Sequence, residues 1–440
     1  MQIVSRRLPS LALAVAGMAA CAGAGASAED FNWKQFDGQS INFLSSNHPW
    51  ANAVVAKKAE FKALTGIDVR VDTFQEEQMR QRLVTTLQSR SPDVDIFMSL
   101  KSREGQQYAN AGWYADLKPL LADSSKTAKN YDFGDLSAAL VKGEEFGGKL
   151  DGIPLNIEGP VLYLRKDVFE RCKVSLPTKL DEIAGAAQKL KACDATITPF
   201  VTRGAKGALA YTFSNFLHNA GAEYFNGGKP AMCAGPAKAA LDTYVSLLKD
   251  YGPPGVVNYS FLQIRELFGQ GKAAMAFESS NEFGPIINFP GRSADTTVML
   301  LPPGSGGSRP TVIGWGLSLS AYSRHLGPAW LFAQWATSKD MQGKLAVAGI
   351  APPRASVADS PEYAKWLSEL QVRGEWDKAL KSMAANGTSE VGPPMEQQPE
   401  ARDILGEAVQ RMLLGQANAD QACADIDAKW EALLVKEHRN

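Results

Sequence analysis

Histidine is scarce in this 440-residue chain, which contains only four, and none of them stands in a spacing typical of a metal site. They are His48, His218, His325 and His438, and no pair forms an H-E-x-x-H motif. The chain also lacks the G-x-S-x-G turn of serine hydrolases, and the glycine-rich stretch 304–308 is not followed by the lysine of a P-loop. We therefore expect no metal, no cofactor and no catalytic centre of these kinds.

Long apolar runs and an excess of one charge are missing as well. No run of about 18 apolar residues follows the N-terminal segment, which argues against a membrane-spanning helix in the rest of the chain. Without Arg6 and Arg7 of that segment, 44 of the 46 basic residues and all 47 acidic residues remain, which gives a net charge of −3. A nearly neutral chain has no electrostatic footprint for nucleic acid or for an anionic membrane.

The first 28 residues predict an export signal. Arg6 and Arg7 precede an apolar run over 8–18, and small residues lead to the Ala-Ser-Ala of 26–28. These are the features of a cleavable signal peptide, so we expect cleavage after Ala28 and a periplasmic location. Lipid attachment at Cys21 is the less favoured alternative, because Met18 is a poor first residue for a lipobox.

Four cysteines remain in the mature chain, and an even number in an exported protein indicates two disulfides. Cys172 and Cys193 bracket an extended segment and a predicted helix that are of similar length, about 20 Å each, so their ends can meet. We predict that these two pair. Elimination then pairs Cys233 with Cys423.

The hydrophobic pattern predicts two α/β lobes. With 45% hydrophobic residues, the chain is long enough for two domains that each bury a core. Apolar periodicity predicts an alternating series of strands (40–46, 67–71, 93–98) and helices (51–65, 75–88). That order is typical of a mostly parallel sheet covered by helices, and a second series predicts a second lobe (strands 161–164, 197–201, 271–277).

The stretch 152–167 predicts a crossover between the lobes, because its character changes halfway. Gly152, Pro154, Gly159 and Pro160 disfavour a strand, whereas 161–164 is apolar and β-prone. Glu158 lies between these parts, flanked by apolar residues and chain breakers. We interpret it as a ligand-contacting acid at an interlobe cleft; an acid in a solvated loop is the alternative.

Two further candidates follow the carboxyl ends of strands, which is where ligands bind in such sheets. Trp50 follows the first strand and would stack on a ligand, or else fold onto its own lobe. Lys101 follows the third strand and is either a contact or a solvated loop residue.

Later candidates lie in the second series and beyond it. Ser280 and Asn281 follow a strand and suit hydrogen bonds to hydroxyls, although helix capping explains them equally well. Tyr211 begins the most aromatic helix, and Trp315 stands between two glycines. We predict that both rings reach the cleft rather than the core.

Seven segments in order resemble one known family. They are FKALTGI at 61–67, SPDV at 91–94, AGWYADL at 111–117, GIP at 152–154, RKDVF at 165–169 with LPTKLDE at 176–182, GKAAMA at 271–276, and 330–335 with a tryptophan at each end. This order is similar to that of the maltose-binding-protein-like, family 1 extracellular solute-binding proteins of carbohydrate ABC importers. The resemblance covers nearly the whole mature chain.

The resemblance implies a two-lobed, hinge-connected α/β fold of the type II periplasmic-binding-protein class. The lobes would be 29–157 with 302–345 and 158–301 with 346–440. By position it places Glu158 and Tyr211 among the sugar contacts, and it adds the segment of Ser280, Asn281 and Phe283 and the rim loops of Trp315 and Arg354.

The implied function is capture of a small carbohydrate or polyol by lobe closure and delivery to the transmembrane subunits of an ABC permease. The protein would be a monomer and not an enzyme. No aromatic stands at position 281, which favours a small ligand over a long maltodextrin. An exported polysaccharide-acting enzyme, or a sensor subunit that binds a non-sugar solute, remains an alternative.

Overall fold

The computed structural model describes residues 31–437, so the predicted signal peptide, the cleavage after Ala28 and Cys21 lie outside the described residues. In this range the strands are β1 (Ser40–Ser46), β2 (Asp68–Phe74), β3 (Ile96–Ser99), β4 (Glu145–Phe146), β5 (Lys149–Leu150), β6 (Ile153–Pro154), β7 (Pro160–Arg165), β8 (Thr198–Val201), β9 (Phe225–Asn226), β10 (Lys229–Pro230), β11 (Ala273–Ser279), β12 (Thr296–Met299) and β13 (Gly316–Leu319).

Helices cover both lobes. They are α1 (Pro49–Val55), α2 (Lys58–Thr65), α3 (Glu76–Gln88), α4 (Gln106–Asn110), α5 (Lys118–Ala122), α6 (Ala138–Gly143), α7 (Lys166–Arg171), α8 (Glu182–Cys193), α9 (Ala210–Asn219), α10 (Gly235–Tyr251), α11 (Phe261–Gly269), α12 (Phe283–Ile287), α13 (Arg292–Asp295), α14 (Leu326–Ala336), α15 (Lys339–Ala346), α16 (Ala355–Ala358), α17 (Pro361–Ser368), α18 (Gln371–Asn386), α19 (Gln398–Leu413) and α20 (Ala419–Glu437). Among residues 31–437, no helix combines the length and the apolar character needed to cross a bilayer.

The predicted helix at 51–65 is divided into α1 and α2. Pro49 occupies the first turn of α1, where its missing N–H costs no hydrogen bond, and His48 caps that turn. The second helix ends at Gly66, whose φ of +75° is the left-handed conformation that glycine adopts without strain.

The first lobe is built on a five-stranded sheet in the order β2-β1-β3-β13-β6. β1 is parallel to both β2 and β3, as the sequence predicts, whereas β13 is antiparallel to β3 and to β6. The sheet is mixed rather than mostly parallel because β13 returns from the other lobe and runs in the opposite direction.

The second lobe is built on a sheet in the order β12-β7-β11-β8, in which only β11 and β8 are parallel. Successive side chains of β7 point to opposite faces. Leu162 and Leu164 enter one apolar core, and Val161 and Tyr163 enter another. Cores on both faces explain why β7 is a continuous apolar run in the sequence.

Two extended segments, 155–159 and 311–315, cross between the lobes side by side. The N–H of Glu158 donates to the carbonyl of Ile313 at 2.9 Å, and the N–H of Ile313 donates back at 2.7 Å. Gly159 allows this approach, because a Cβ there would lie 2.2 Å from the carbonyl oxygen of Thr311. The predicted lobe boundaries at 157/158, 301/302 and 345/346 remain a prediction.

Both predicted disulfides are present in the second lobe. Cys172 and Cys193 have Cα atoms 5.7 Å apart, and Cys233 and Cys423 have Cα atoms 4.9 Å apart. The first closes a short loop around α8. The second ties the segment before α10 to α20.

Candidate ligand-binding site

A small cavity lies where the two lobes meet, beside the carboxyl ends of β1, β3, β8 and β11. Its walls are His48, Glu76, Leu100, Glu158, Arg203, Ala208, Tyr211, Phe261, Ser279, Asn281, Glu282, Ile313, Trp315 and Arg402. Its volume of about 20 Å³ is enough for one water molecule. The lobes are therefore closed on each other, and we call this space the front cavity.

Glu158 joins the two lobes at the floor of the front cavity. Its Oε2 lies 3.5 Å from Nε2 of His48 in the first lobe, and it accepts hydrogen bonds from the side-chain amides of Asn156 (3.1 Å) and of Asn281 in the second lobe. Nδ1 of His48 accepts from the N–H of Trp50 at 3.2 Å, which leaves Nε2 as the nitrogen that faces the carboxylate.

Arg203 and Glu278 form an ion pair on the side of the front cavity that the second lobe provides. Both follow or end parallel strands, β8 and β11, and Nε of Arg203 donates to both carboxylate oxygens at 3.0 Å. The guanidinium lies 4.4 Å from the centre of the Tyr211 ring. Burial raises the pKa of Tyr211 well above its usual value, so the phenol stays protonated. Its hydroxyl has no hydrogen-bond partner among residues 31–437.

A cluster of arginines and glutamates lies behind Glu76 on the opposite side of the front cavity. Arg103 holds Glu77 with two hydrogen bonds of 2.6 and 3.0 Å, and Arg80 pairs with Glu76 and Glu104. Burial alone would raise the pKa of Glu77, but Arg80 and Arg103 lower it to about 2. Glu77 is therefore ionised at neutral pH.

Arg402 of α19, in the second lobe, differs from Arg80 and Arg103 because it forms no ion pair within the described chain. It is 2% exposed, and its Nε and Nη1 have no partner among the described residues. Burial, together with the nearby cations Arg103 and Arg80, lowers its pKa to about 9. Two N–H groups of a charged side chain are thus left without an acceptor, a costly state unless a ligand supplies one.

Glu282 is a wall acid whose protonation changes near neutral pH. Burial raises its pKa to about 8, and Arg265, 3.5 Å away, only partly opposes this effect. At pH 7 its carboxyl is mostly protonated and can donate a hydrogen bond.

The charges around the front cavity nearly balance. Five guanidinium groups (Arg80, Arg103, Arg203, Arg265, Arg402) face six carboxyl groups (Glu76, Glu77, Glu104, Glu158, Glu278, Glu282), and protonated Glu282 makes the count equal. The wall therefore offers both donors and acceptors without a net charge, which suits a neutral ligand rich in hydroxyls.

A comparison with known families matches residues 45–343 to the model of bacterial extracellular solute-binding proteins. The chain belongs to this family. The match extends from β1 to α15 and includes both crossing segments. Since the family consists of solute-binding proteins, membership favours a binding function over a catalytic one.

The names of two relatives of this solute-binding protein state that those proteins bind a sugar alcohol. The erythritol/L-threitol-binding protein of Mycolicibacterium smegmatis is 29% identical over 352 residues, which cover 75% of this chain and 73% of that protein. The mannitol-binding protein of Pseudomonas aeruginosa is 29% identical over 379 residues, covering 80% and 83%. A solute-binding protein from Agrobacterium radiobacter K84 in complex with ribitol shares the fold, with a TM-score of 0.80, 24% identity and coverage of 90% and 99%.

The structure places four of the predicted site residues on the wall of the front cavity. They are Glu158, Tyr211, Asn281 and Trp315. Trp315 is 3% exposed and lies against His48 and under Arg80, with the guanidinium 5.3 Å from its ring centre. Their role as ligand contacts remains a prediction.

The other predicted contacts, Trp50, Lys101, Ser280, Phe283 and Arg354, do not line the front cavity. Trp50 is fully buried in the core of the first lobe. Ser280 accepts from the N–H of Gly159 through Oγ at 3.3 Å, and Phe283 stacks on Trp376 with ring centres 4.8 Å apart. Each is held by its own lobe or by a crossing segment.

Lys101 and Arg354 also have partners within the protein. Nζ of Lys101 lies 2.6 Å from Oγ of Ser318 and 3.3 Å from Glu144. Arg354 is fully buried and donates to the carbonyls of Thr337, Asp132 and Tyr131 at 2.7 to 2.9 Å. Each cation is thus neutralised or saturated away from the front cavity.

Sequence reasoning missed several wall residues, above all His48, Glu76, Arg203, Glu282 and Arg402. His48 and Arg203 had a usable signal, because each directly follows a strand of a predicted sheet. Arg402 had none, since it lies in α19 among alternating apolar and polar residues of an ordinary amphipathic helix.

Proposed function

We propose that this solute-binding protein captures a short linear sugar alcohol and is the extracytoplasmic receptor of an ABC importer. The charge balance of the front cavity carries this proposal. The cavity wall offers unpaired donors on Arg402 and Tyr211 and an acceptor on Glu158, which match the hydroxyl groups of a sugar alcohol. Because the wall has no net charge, it does not favour an ionic ligand. The polyol names of the relatives support the same class.

The ligand enters when the lobes separate. A volume of about 20 Å³ is far too small for a sugar alcohol, so the closed arrangement must open or widen around the crossing segments. Closure then brings His48 and Arg80 of the first lobe and Asn281 and Arg402 of the second to the same molecule. Hydroxyl groups of the ligand then bind the unpartnered polar groups of Arg402 and Tyr211. Ligand binding therefore favours the closed state.

Delivery to the two transmembrane subunits of a permease, and a monomeric state, complete the proposal. Two disulfides are typical of proteins that work in an oxidising compartment outside the cytoplasm. The sensor alternative shares this fold and differs in the protein that receives the closed form.

Calorimetric titration with erythritol, ribitol, mannitol, maltose and an anionic sugar acid tests the ligand class. We expect saturable binding of at least one sugar alcohol, together with a higher melting temperature in its presence. Binding of the sugar acid alone, or of none of the sugar alcohols, would overturn the proposal.

Tyr211→Phe sharpens this test, because it removes one unpartnered hydroxyl and keeps the ring. Affinity for the sugar alcohol should fall about tenfold, the effect of losing one hydrogen bond, while the melting temperature of the empty protein stays the same. Tyr363→Phe is the matched control: its hydroxyl faces Asp377 at 3.3 Å, outside the front cavity, and its affinity should not change.

A further inference from the structure

His218 is buried at the end of α9, and both of its ring nitrogens face oxygen atoms. It has no exposed surface, and Nε2 lies 3.0 Å from the backbone carbonyl oxygen of Glu390. A carbonyl can only accept, so Nε2 carries the hydrogen and Nδ1 carries the lone pair in a neutral ring. Nδ1 lies 3.1 Å from Oε2 of Glu223, and it has no hydrogen-bond partner among the described residues.

A lone pair that faces a carboxylate oxygen requires something positive between them. The two candidates are a proton, which would make His218 a buried imidazolium, and a metal ion. Glu223 already has a cationic partner, since its Oε1 lies 2.6 Å from Nη1 of Arg309. Arg309 occupies only that oxygen and leaves Oε2 for a second partner.

The position of Glu390 favours the metal ion. Its carboxylate approaches the same point, and a ligand atom of each of His218, Glu223 and Glu390 lies within 4.8 Å of the other two. A tetrahedral zinc ion with bonds of 2.0 to 2.2 Å separates its ligands by about 3.3 Å, close to the observed distance between His218 and Glu223. Among residues 31–437, this is the one His, Cys, Asp and Glu group of three that converges in this way.

The surroundings also fit a metal site. A histidine that binds a metal usually donates its other N–H to a carbonyl or carboxylate, as Nε2 of His218 does here. Glu390 also lines a second space, of about 600 Å³, which we call the rear cavity; its walls include Lys101, Leu140, Phe146, Ile157, Val312, Gly314 and Ala384. An ion can therefore reach the group through an open space.

We propose that His218, Glu223 and Glu390 form a zinc site, with water as the fourth ligand. One imidazole and two carboxylates suit zinc, and three protein ligands leave an open position. The site is separate from the front cavity and goes beyond the proposed transport function. Through Glu223 and Arg309 it would link the end of α9 to the segment that returns to the first lobe.

Zinc titration of the metal-free full chain tests the proposal. We expect one zinc ion to bind per molecule and to raise the melting temperature, and we expect X-ray absorption to show one imidazole and oxygen ligands. Magnesium should not compete, because it prefers an all-oxygen octahedral site. Glu390→Gln should weaken zinc binding by more than about tenfold while leaving the bond between Glu223 and Arg309 intact.

Glu431→Gln, which changes an exposed acid on α20, is the matched control and should bind zinc like the wild type. Absence of zinc binding at millimolar concentration would overturn the proposal, as would equal affinity in Glu390→Gln and the wild type. Nitrogen NMR that shows both ring nitrogens of His218 protonated in the presence of zinc would also overturn it, because a proton would then occupy the position.

Discussion

The front and rear cavities flank the same two crossing segments, and they differ in size and in chemistry. The front cavity has about 20 Å³ and charged walls, whereas the rear cavity has about 600 Å³ and many apolar walls. Glu158 and Trp315 face the front, and their neighbours Ile157 and Gly314 face the rear, as alternation along an extended chain requires. Ile313 borders both.

Because the same two crossing segments border both spaces, we expect the two cavities to change together. If the lobes rotate about these segments, opening the front cavity to admit a ligand narrows the rear cavity. A change on either side should alter the equilibrium between open and closed forms, so ligand affinity reports on both.

The largest expected effect comes from Arg402 on the front wall. Arg402→Met removes two N–H groups that have no hydrogen-bond partner among the described residues. Affinity for the sugar alcohol should therefore fall about a hundredfold, which corresponds to a loss of roughly 3 kcal/mol of binding free energy. The empty protein should not lose stability, because a buried cation without an ion-pair partner is removed. Calorimetry and urea unfolding of the same variant measure both quantities.

Arg354→Met is the control for this prediction, because Arg354 is equally buried but fully bonded to carbonyls. It should cost at least about 2 kcal/mol of stability by leaving those carbonyls unpaired. If Arg402→Met proved as destabilising as Arg354→Met, Arg402 would be a structural residue and the contrast between the two would fail.

A smaller effect is expected from the rear cavity. Ala384 on α18 lines it, and Ala384→Trp would fill space that must narrow when the front opens. The closed form should gain about 1 kcal/mol, which makes the ligand bind about fivefold more tightly. Ala385→Trp places the same ring one residue further along α18, outside the lining, and should leave the affinity unchanged. Equal affinities in both variants would break the link between the cavities.

The last comparison concerns pH. The pKa of Glu282 is raised to about 8 from 4.5, so the folded protein holds this proton more tightly than the unfolded chain does. The stability that the proton contributes is fully present below about pH 4.5 and is lost as pH rises through about 8. Glu282→Gln, which cannot ionise, should therefore become more stable relative to the wild type as the pH rises from 5 to 9.

Unfolding by urea at both pH values measures this change for the two proteins. A constant difference between them would show that Glu282 is ionised throughout, held by Arg265. In that case the front cavity would carry one more negative charge than we count.

The sequence predicted what short-range patterns determine. Periodicity located β1 and α3 to within one residue, and the crossing at Glu158 followed from the chain breakers around it. The directions of β12 and β13 could not be predicted from the sequence, because they depend on where the chain crosses between the lobes. No local pattern contains that information.

The candidate site divides in the same way. Glu158, Tyr211, Asn281 and Trp315 lie in segments whose positions after strands or between breakers are informative. Lys101 and Arg354 looked equally suitable, but both have hydrogen-bond partners far along the chain. Lys101 donates to Ser318, and Arg354 donates to backbone carbonyls at and near Tyr131. Arg402 belongs to a helix whose sequence pattern is that of a surface helix, yet its side chain is buried in the structure.

The disulfide between Cys233 and Cys423 has a topological consequence. It spans 190 residues and closes a covalent ring that contains the crossing segment 311–315, the strand β13 and the helices α14 and α15. Part of the first lobe is therefore a section of a covalent ring whose closing bond lies in the second lobe. A protease that cuts the chain once inside this ring leaves a single covalent molecule, whereas the same cut followed by reduction and denaturation separates two fragments.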